Sequence, residues 1–216
     1  MNIIIRKVRV LAAPEPPFIG TRIRIKLDDP ASLTWGVKNL TLAAGRDKAI
    51  IEWGDETRSE LTASGELTHG YAAPGEYEVR ISDDILSMAF SAKSSTSPFH
   101  VIYAPMIREF HTTALQLKDL AISCFIDASQ LSLFSCEGSG LRTLAAHAFA
   151  FCPSLVGRVE LHGITEVSEY SFANSSGITE LHFSKVNESA IKSLPDWKSS
   201  GGKFGAPNAE SFFDLP

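Results

Sequence analysis

The chain has 216 residues, 44% hydrophobic and 21% charged, with 20 basic against 25 acidic side chains and a formal charge of −5. That length fits one large or two small domains with a buried core. The mild acidity argues against nucleic acid as a main partner, because phosphate binding needs a concentrated cationic surface, and no apolar run approaches the roughly 20 residues that span a bilayer as a helix.

From the N-terminus, Met1–Val10 is too short and too interrupted by charge for a signal-peptide core and reads as a strand. The protein therefore stays inside, leaves by another route, or has a leader in a longer precursor. The run Ala13-Pro14-Glu15-Pro16-Pro17 stops that strand, and Thr21–Leu27 alternates strictly between apolar and polar, the mark of a half-buried strand. Six basic side chains in this region (Arg6, Lys7, Arg9, Arg22, Arg24, Lys26) alternate with apolar ones and read as a solvated strand face. Asp28-Asp29-Pro30 is a turn. Further strands are predicted at Leu40–Ala43, Ala49–Trp53, Leu67–Tyr71, Glu76–Ile81, Leu86–Ser91 and Phe99–Tyr103. Short strands separated by Gly, Pro and Asp turns predict an antiparallel β-sandwich. Ser94–Pro98 is a polar break, and Ala104-Pro105 marks a boundary between a first unit, 1–104, and a second, 105–216.

Two stretches of the first unit are more specific: Ile50-Ile51-Glu52-Trp53-Gly54-Asp55-Glu56-Thr57, and His69-Gly70-Tyr71 followed by Pro74-Gly75-Glu76-Tyr77-Glu78-Val79. Together they resemble the polycystic-kidney-disease (PKD) domain family, with Glu56 standing where the family carries a second glycine. The resemblance implies an immunoglobulin-like sandwich. Independently, Trp53 can fill the gap between two sheets, and Asp55 suits a tight turn where a short carboxylate accepts backbone N–H groups. A cation held by Glu52, Asp55 and Glu56 is the alternative, without the regular carboxylate spacing that calcium loops show.

The second unit is built on a repeat. Leu141, Leu144, Phe149, Cys152 and Leu155 match Ile164, Val167, Phe172, Ser175 and Ile178, each 23 positions on. A looser copy at an offset of 24 places Leu117, Leu120, Phe125 and Leu131 before them, with Ala128 at the Cys position. Each copy reads as a strand, a turn, a short helical or 3₁₀ segment carrying the Phe, and a return, with strands at Ile107–Phe110, Leu131–Phe134, Val159–Leu161 and Leu181–Phe183. A unit this small buries its apolar face only by stacking on neighbours. A fourth, broken unit starts near Val186, with Ile191 and Leu194, and the tail from Ser199 is a C-terminal cap or partly loose. The pattern Leu-x-x-Leu-x-x-x-Ala-Phe-x-x-Cys-x-x-Leu at 141–155 resembles the BspA-type leucine-rich repeats of bacterial surface proteins. The first apolar edge, near Ile107, needs a cover, and the preceding sandwich is expected to pack on it as one rigid unit.

No chemistry-bearing motif stands out. Cys124, Cys136 and Cys152 fit neither a disulfide framework nor a zinc site and read as buried fillers, with one disulfide left open. His69, His100, His111, His147, His162 and His182 form no HExxH or His-x-His arrangement. Glu160, Glu166, Glu169 and Glu180 lie on the polar side of repeat units and read as a solvated face rather than a glycosidase pair. The reading is non-enzymatic, with no cofactor and no metal.

In stacked repeats the strands line one face, which predicts a binding platform of Arg108, Glu109, Ser132, Glu160, Glu180 and His182. The two resemblances imply an extracellular or cell-surface bacterial adhesion-type protein, recognising a protein or glycan on a host or neighbouring cell. A structural or attachment component of a phage or surface appendage is the alternative, and an accessory domain of a glycan-degrading system a further one.

Overall fold

The structure is a computed structural model that describes residues 18–28, 34–92, 105–194 and 204–216. Outside the described residues lie the expected strand at 2–11, the 13–17 stop, positions 29–30 of the first turn, the 94–98 break, the 99–103 strand, the boundary residue at 104 and positions 199–203 of the tail.

The described chain is mostly β. Its strands are β1 (Gly20–Leu27), β2 (Thr34–Leu42), β3 (Ala49–Glu52), β4 (Arg58–Leu61), β5 (Gly65–Gly70), β6 (Gly75–Ser82), β7 (Ile85–Ala92), β8 (Ile107–Thr112), β9 (Asp119–Leu120), β10 (Leu133–Ser135), β11 (Thr143–Leu144), β12 (Gly157–Leu161), β13 (Glu166–Val167), β14 (Ile178–Ser184) and β15 (Glu210–Leu215). A 3₁₀ turn at Lys185–Asn187 leads into the short helix α1 (Glu188–Lys192), which buries Ile191. Three sheets result, with strand orders β10-β8-β1-β6-β3-β4, β13-β11-β9-β7-β2-β5 and β12-β14-β15.

The alternation read in Thr21–Leu27 is observed directly: Ile23, Ile25 and Leu27 are buried, while Arg24 on the opposite face is exposed. Strands β2 and β7 run longer than the sequence pattern indicates, and β4, β9, β11, β13 and β15 are additions to it.

Both large sheets cross the position where the sequence changes character. β8 pairs antiparallel with β1, Ile23 opposite Phe110, and on its other side runs parallel to β10. β7 pairs antiparallel with β2 and parallel with β9, Met88 beside Leu120. The backbone edge at Ile107 is thus covered by a hydrogen-bonded strand. A single apolar cluster runs from Ile23 and Trp53 through Phe90 and Phe110 to Phe149 and Phe183.

Around Trp53 the local order follows from turn chemistry. The indole is fully buried, and its N–H donates to Ser59 Oγ at 2.9 Å. The Tyr71 hydroxyl donates to the Trp53 carbonyl at 3.0 Å, and the His69 ring stacks on the indole at 5.0 Å. Asp55 accepts the Thr57 backbone N–H at 3.2 Å and bonds His69 at 2.7 Å. Burial raises this carboxyl, but hydrogen bonds from Thr57 and His69 together outweigh it and hold Asp55 below its ordinary value. Gly54 has φ +86°, and a Cβ there would meet the Glu78 carbonyl oxygen at 2.7 Å, so the close approach of two strands requires glycine.

The matched repeat positions form columns. Leu120, Leu144 and Val167 are register partners across β9, β11 and β13. Phe125, Phe149 and Phe172 stack at 4.9 and 5.3 Å with planes 18° and 5° apart. Their backbones also join, Phe125 N–H to the Ala148 carbonyl at 2.7 Å and Phe149 N–H to the Ser171 carbonyl at 2.6 Å. The Cys-to-Ser match has a shared role: Cys152 Sγ donates to the Phe125 carbonyl at 3.2 Å, and Ser175 Oγ donates to the Phe149 carbonyl. Burial pushes the Cys136 and Cys152 thiols up to about 12 and Cys124 well above its ordinary value; the three are free thiols.

The segment carrying each Phe is a chain of turns rather than a helix. Every unit has two left-handed residues four apart: Ser123 and Asp127, His147 and Phe151, Tyr170 and Asn174, with φ between 54° and 59°. At the C-terminus, Phe204, Ala206 and Ala209 are buried and β15 runs parallel to β14, so residues 204–216 cap the stack.

Candidate functional site

Strand β10, at the edge of the first sheet, lies beside β12, at the edge of the third, without ladder pairing between them, so that β8, β10, β12, β14 and β15 follow one another. Their inward side chains, Phe110, Phe134, Val159, Leu161, Leu181 and Phe183, are in the core. Alternation sends Glu109, His111, Leu133, Arg158, Glu160, Glu180, His182, Phe212 and Asp214 to the opposite face. At the β1 end the same face carries Arg22 and Arg24, register partners of His111 and Glu109.

Two clefts indent this face. The first, about 270 Å³, is lined by Arg22, Arg24, Glu78, Glu109, His111 and Leu133. The second, also about 270 Å³, includes Leu133, Ser135, Glu137, Arg158, Glu160 and His162 in its lining. Leu133 is 48% exposed and belongs to both. In the first, Arg24 donates to Glu109 at 2.8 Å. In the second, Arg158 Nε donates to Glu160 at 2.8 Å and His162 Nε2 bonds the other carboxylate oxygen at 3.1 Å. The His162 hydrogen bond holds Glu160 below its ordinary value, with Arg158 adding to it against the opposing effect of burial. Such pairs are exposed and contribute little stability. Their effect is to orient the donors and acceptors.

Beyond the second cleft, His182 is clasped. Its Nε2 meets Glu180 Oε2 and its Nδ1 meets Asp214 Oδ1, both at 2.7 Å, while its ring stacks on Phe212 at 4.8 Å. The His182 hydrogen bond leads the effects that hold Asp214 below its ordinary value.

Of the sequence-selected residues, Glu109 and Glu160 line the clefts, and Glu180 lies one strand beyond. His182 is on the face but not open to it, being only 4% exposed. Ser132 is exposed and turned to its neighbour, with N–H and Oγ both donating to the Arg108 carbonyl at 2.8 and 3.2 Å. Arg108 is half-buried and lines neither cleft, and its Nε has no hydrogen-bond partner among the described residues. The sequence reading missed Leu133, Arg158, His162, Phe212 and Asp214, and the contribution of Arg22 and Arg24. Strict alternation outward from buried Phe134 is the signal that selects Leu133 over Ser132.

Among the described residues no group of three or more His, Cys, Asp or Glu side chains is placed to hold a metal ion, and no helix is long and apolar enough to cross a membrane. Comparison with protein-family models, with curated proteins and with solved structures finds no match.

Proposed function

We propose that this chain is a non-enzymatic, adhesion-type binding module that engages a protein or glycan through the outer face of its strand row. The observation that carries the reading is the pair of adjoining clefts around exposed Leu133. They present oriented hydrogen-bonding groups beside one apolar side chain, on strands fixed by a continuous core. Binding groups carried on rigid strands are held more precisely than groups on loops.

In this reading, residues 1–104 are a PKD-like immunoglobulin-like sandwich and residues 105–216 a short BspA-type leucine-rich repeat array with a C-terminal cap. The Trp53–His69–Tyr71 contacts support the first part, and the Phe125–Phe149–Phe172 column supports the second. The PKD-like and BspA-type resemblances imply a bacterial surface setting for such a module.

The test is to probe the full chain against protein and glycan arrays, then repeat with Leu133→Asp and Glu160→Ala. Binding by the parent chain that both substitutions abolish, with unchanged circular dichroism, supports the strand face. A ligand that binds both variants as tightly as the parent overturns that placement, and intact-cell protease shaving that releases none of the native protein overturns surface display.

A further inference from the structure

The two clefts are chemically alike. Each has a volume of about 270 Å³, and each holds an arginine donating to a glutamate at 2.8 Å with a histidine in the lining: Arg24, Glu109 and His111 in one, Arg158, Glu160 and His162 in the other. They share Leu133 as a common wall. In the first cleft the charges of Arg22 and Arg24 balance those of Glu78 and Glu109, for a sum of zero. In the second, Arg158 against Glu137 and Glu160 leaves −1.

This matters for the choice of ligand. A folded protein epitope has no reason to offer the same chemistry twice at adjacent positions, whereas a polymer of one repeating unit does. A polyanion needs a cationic groove, and neither cleft carries net positive charge. Hydroxyl groups both donate and accept, so they match a lining that mixes arginine and histidine N–H groups with carboxylate oxygens. A sugar ring also has an apolar C–H face, for which exposed Leu133 is the complement between the two polar sites. Each cleft is below the roughly 300–1,000 Å³ of a drug-sized pocket, which suits one small unit apiece.

We propose that the strand face binds a neutral oligosaccharide of repeating units, with neighbouring units seated in the Arg24–Glu109 and Arg158–Glu160 clefts and Leu133 lying against their C–H faces where the two units meet. This rests on the binding reading given above and narrows its ligand class.

The experiment is calorimetric titration of the full chain with size-fractionated neutral glucan, mannan and galactan oligosaccharides of one to six units, at low and high salt. The expected result is weak or undetectable binding of the monosaccharide. Affinity should then rise by about hundredfold or more once the chain spans both clefts, as linked subsites require, with little salt dependence. Arg24→Ala and Arg158→Ala should each remove that length-dependent gain, so that the longest oligomer binds each variant no more tightly than a short one binds the parent. Affinity independent of length, a steep loss with salt, or gains that survive both substitutions overturn the proposal. No response to any of the three series, with capture of a protein ligand that Leu133→Asp abolishes, also overturns it, while leaving the broader binding reading intact. Failure of every ligand on the arrays to respond to Leu133→Asp removes both.

Discussion

Phe110 and Phe134 stack at 5.6 Å with planes 8° apart, on strands that are parallel neighbours in register. Phe110 also meets Phe90 at 6.2 Å and Phe125 at 5.1 Å, so one ring ties β7, the first repeat turn and the β10 strand together. Truncation there removes core contacts on both sides of the sequence boundary. Phe110→Ala is expected to cost about 3–5 kcal/mol. Hydrogen exchange should then rise together in peptides covering 49–61 and 141–155. Exchange that rises in only one of them would show that the two regions unfold independently.

Much of the C-terminal pattern was legible because a repeat is a local signal copied at a fixed offset. The matched residues Leu120, Leu144 and Val167, and the three phenylalanines, are register and stacking partners as the alignment implies. What was not legible depends on distant pairings. That β15 would run beside β14 and bring Asp214 to His182, 32 residues away, follows from no periodicity. The outward position of Leu133 depends on where a three-residue strand begins, and a shift of one residue reverses the faces. The turn ladder was missed because its backbone opposes residue preference: Phe151 and Tyr170 occupy left-handed positions that bulky side chains rarely take.

That opposition has a measurable consequence. Phe151 sits at φ 58° and is 46% exposed, while the corresponding positions carry Asp127 and Asn174, residue types that tolerate this conformation. Phe151→Asn relieves backbone strain and gives up little burial, so it is expected to stabilise the chain by about 1 kcal/mol, a rise in Tm of about 2–4 °C at this size. Phe151→Val, branched at Cβ, should lower Tm. A scanning calorimetry trace in which the asparagine variant melts earlier than the parent would remove strain as the explanation.

Cys152 and Ser175 hold equivalent posts, each donating to a phenylalanine carbonyl of the preceding unit. Cys152→Ser keeps a donor and is expected to cost less than Cys152→Val, which leaves the Phe125 carbonyl with the Ala128 N–H alone, a loss of about 0.5–1.5 kcal/mol. Burial also pushes the Cys136 and Cys152 thiols to about 12, so thiolate is scarce at ordinary pH. Iodoacetamide at pH 8 should leave the native chain unlabelled and modify all three cysteines in denaturant. Equal stability of the serine and valine variants would deny the hydrogen bond its role, and rapid native labelling would contradict the burial.

The His182 clasp predicts how stability responds to acid. Asp214 and Glu160 both have carboxyls held below their ordinary values, led in each case by a histidine hydrogen bond. A carboxyl that is more acidic folded than unfolded contributes its stability above its unfolded pKa and loses it as pH falls through the folded value. The unfolded values are 3.8 for Asp and 4.5 for Glu. The contribution is therefore intact near neutrality, begins to fall below about pH 4.5 and is gone only below the depressed folded values. Because Asp214 is on β15 and His182 on β14, the acid limb should report loosening of the C-terminal strand first. Asp214→Asn gives up the charged partner at every pH, so it is expected to unfold at lower urea than the parent at pH 7, with the two curves converging as pH approaches 3. Urea midpoints measured from pH 7 to pH 3, with limited proteolysis of the C-terminal strand at each step, check this. Parent and variant curves that run parallel across that range would show that Asp214 does not carry the acid response.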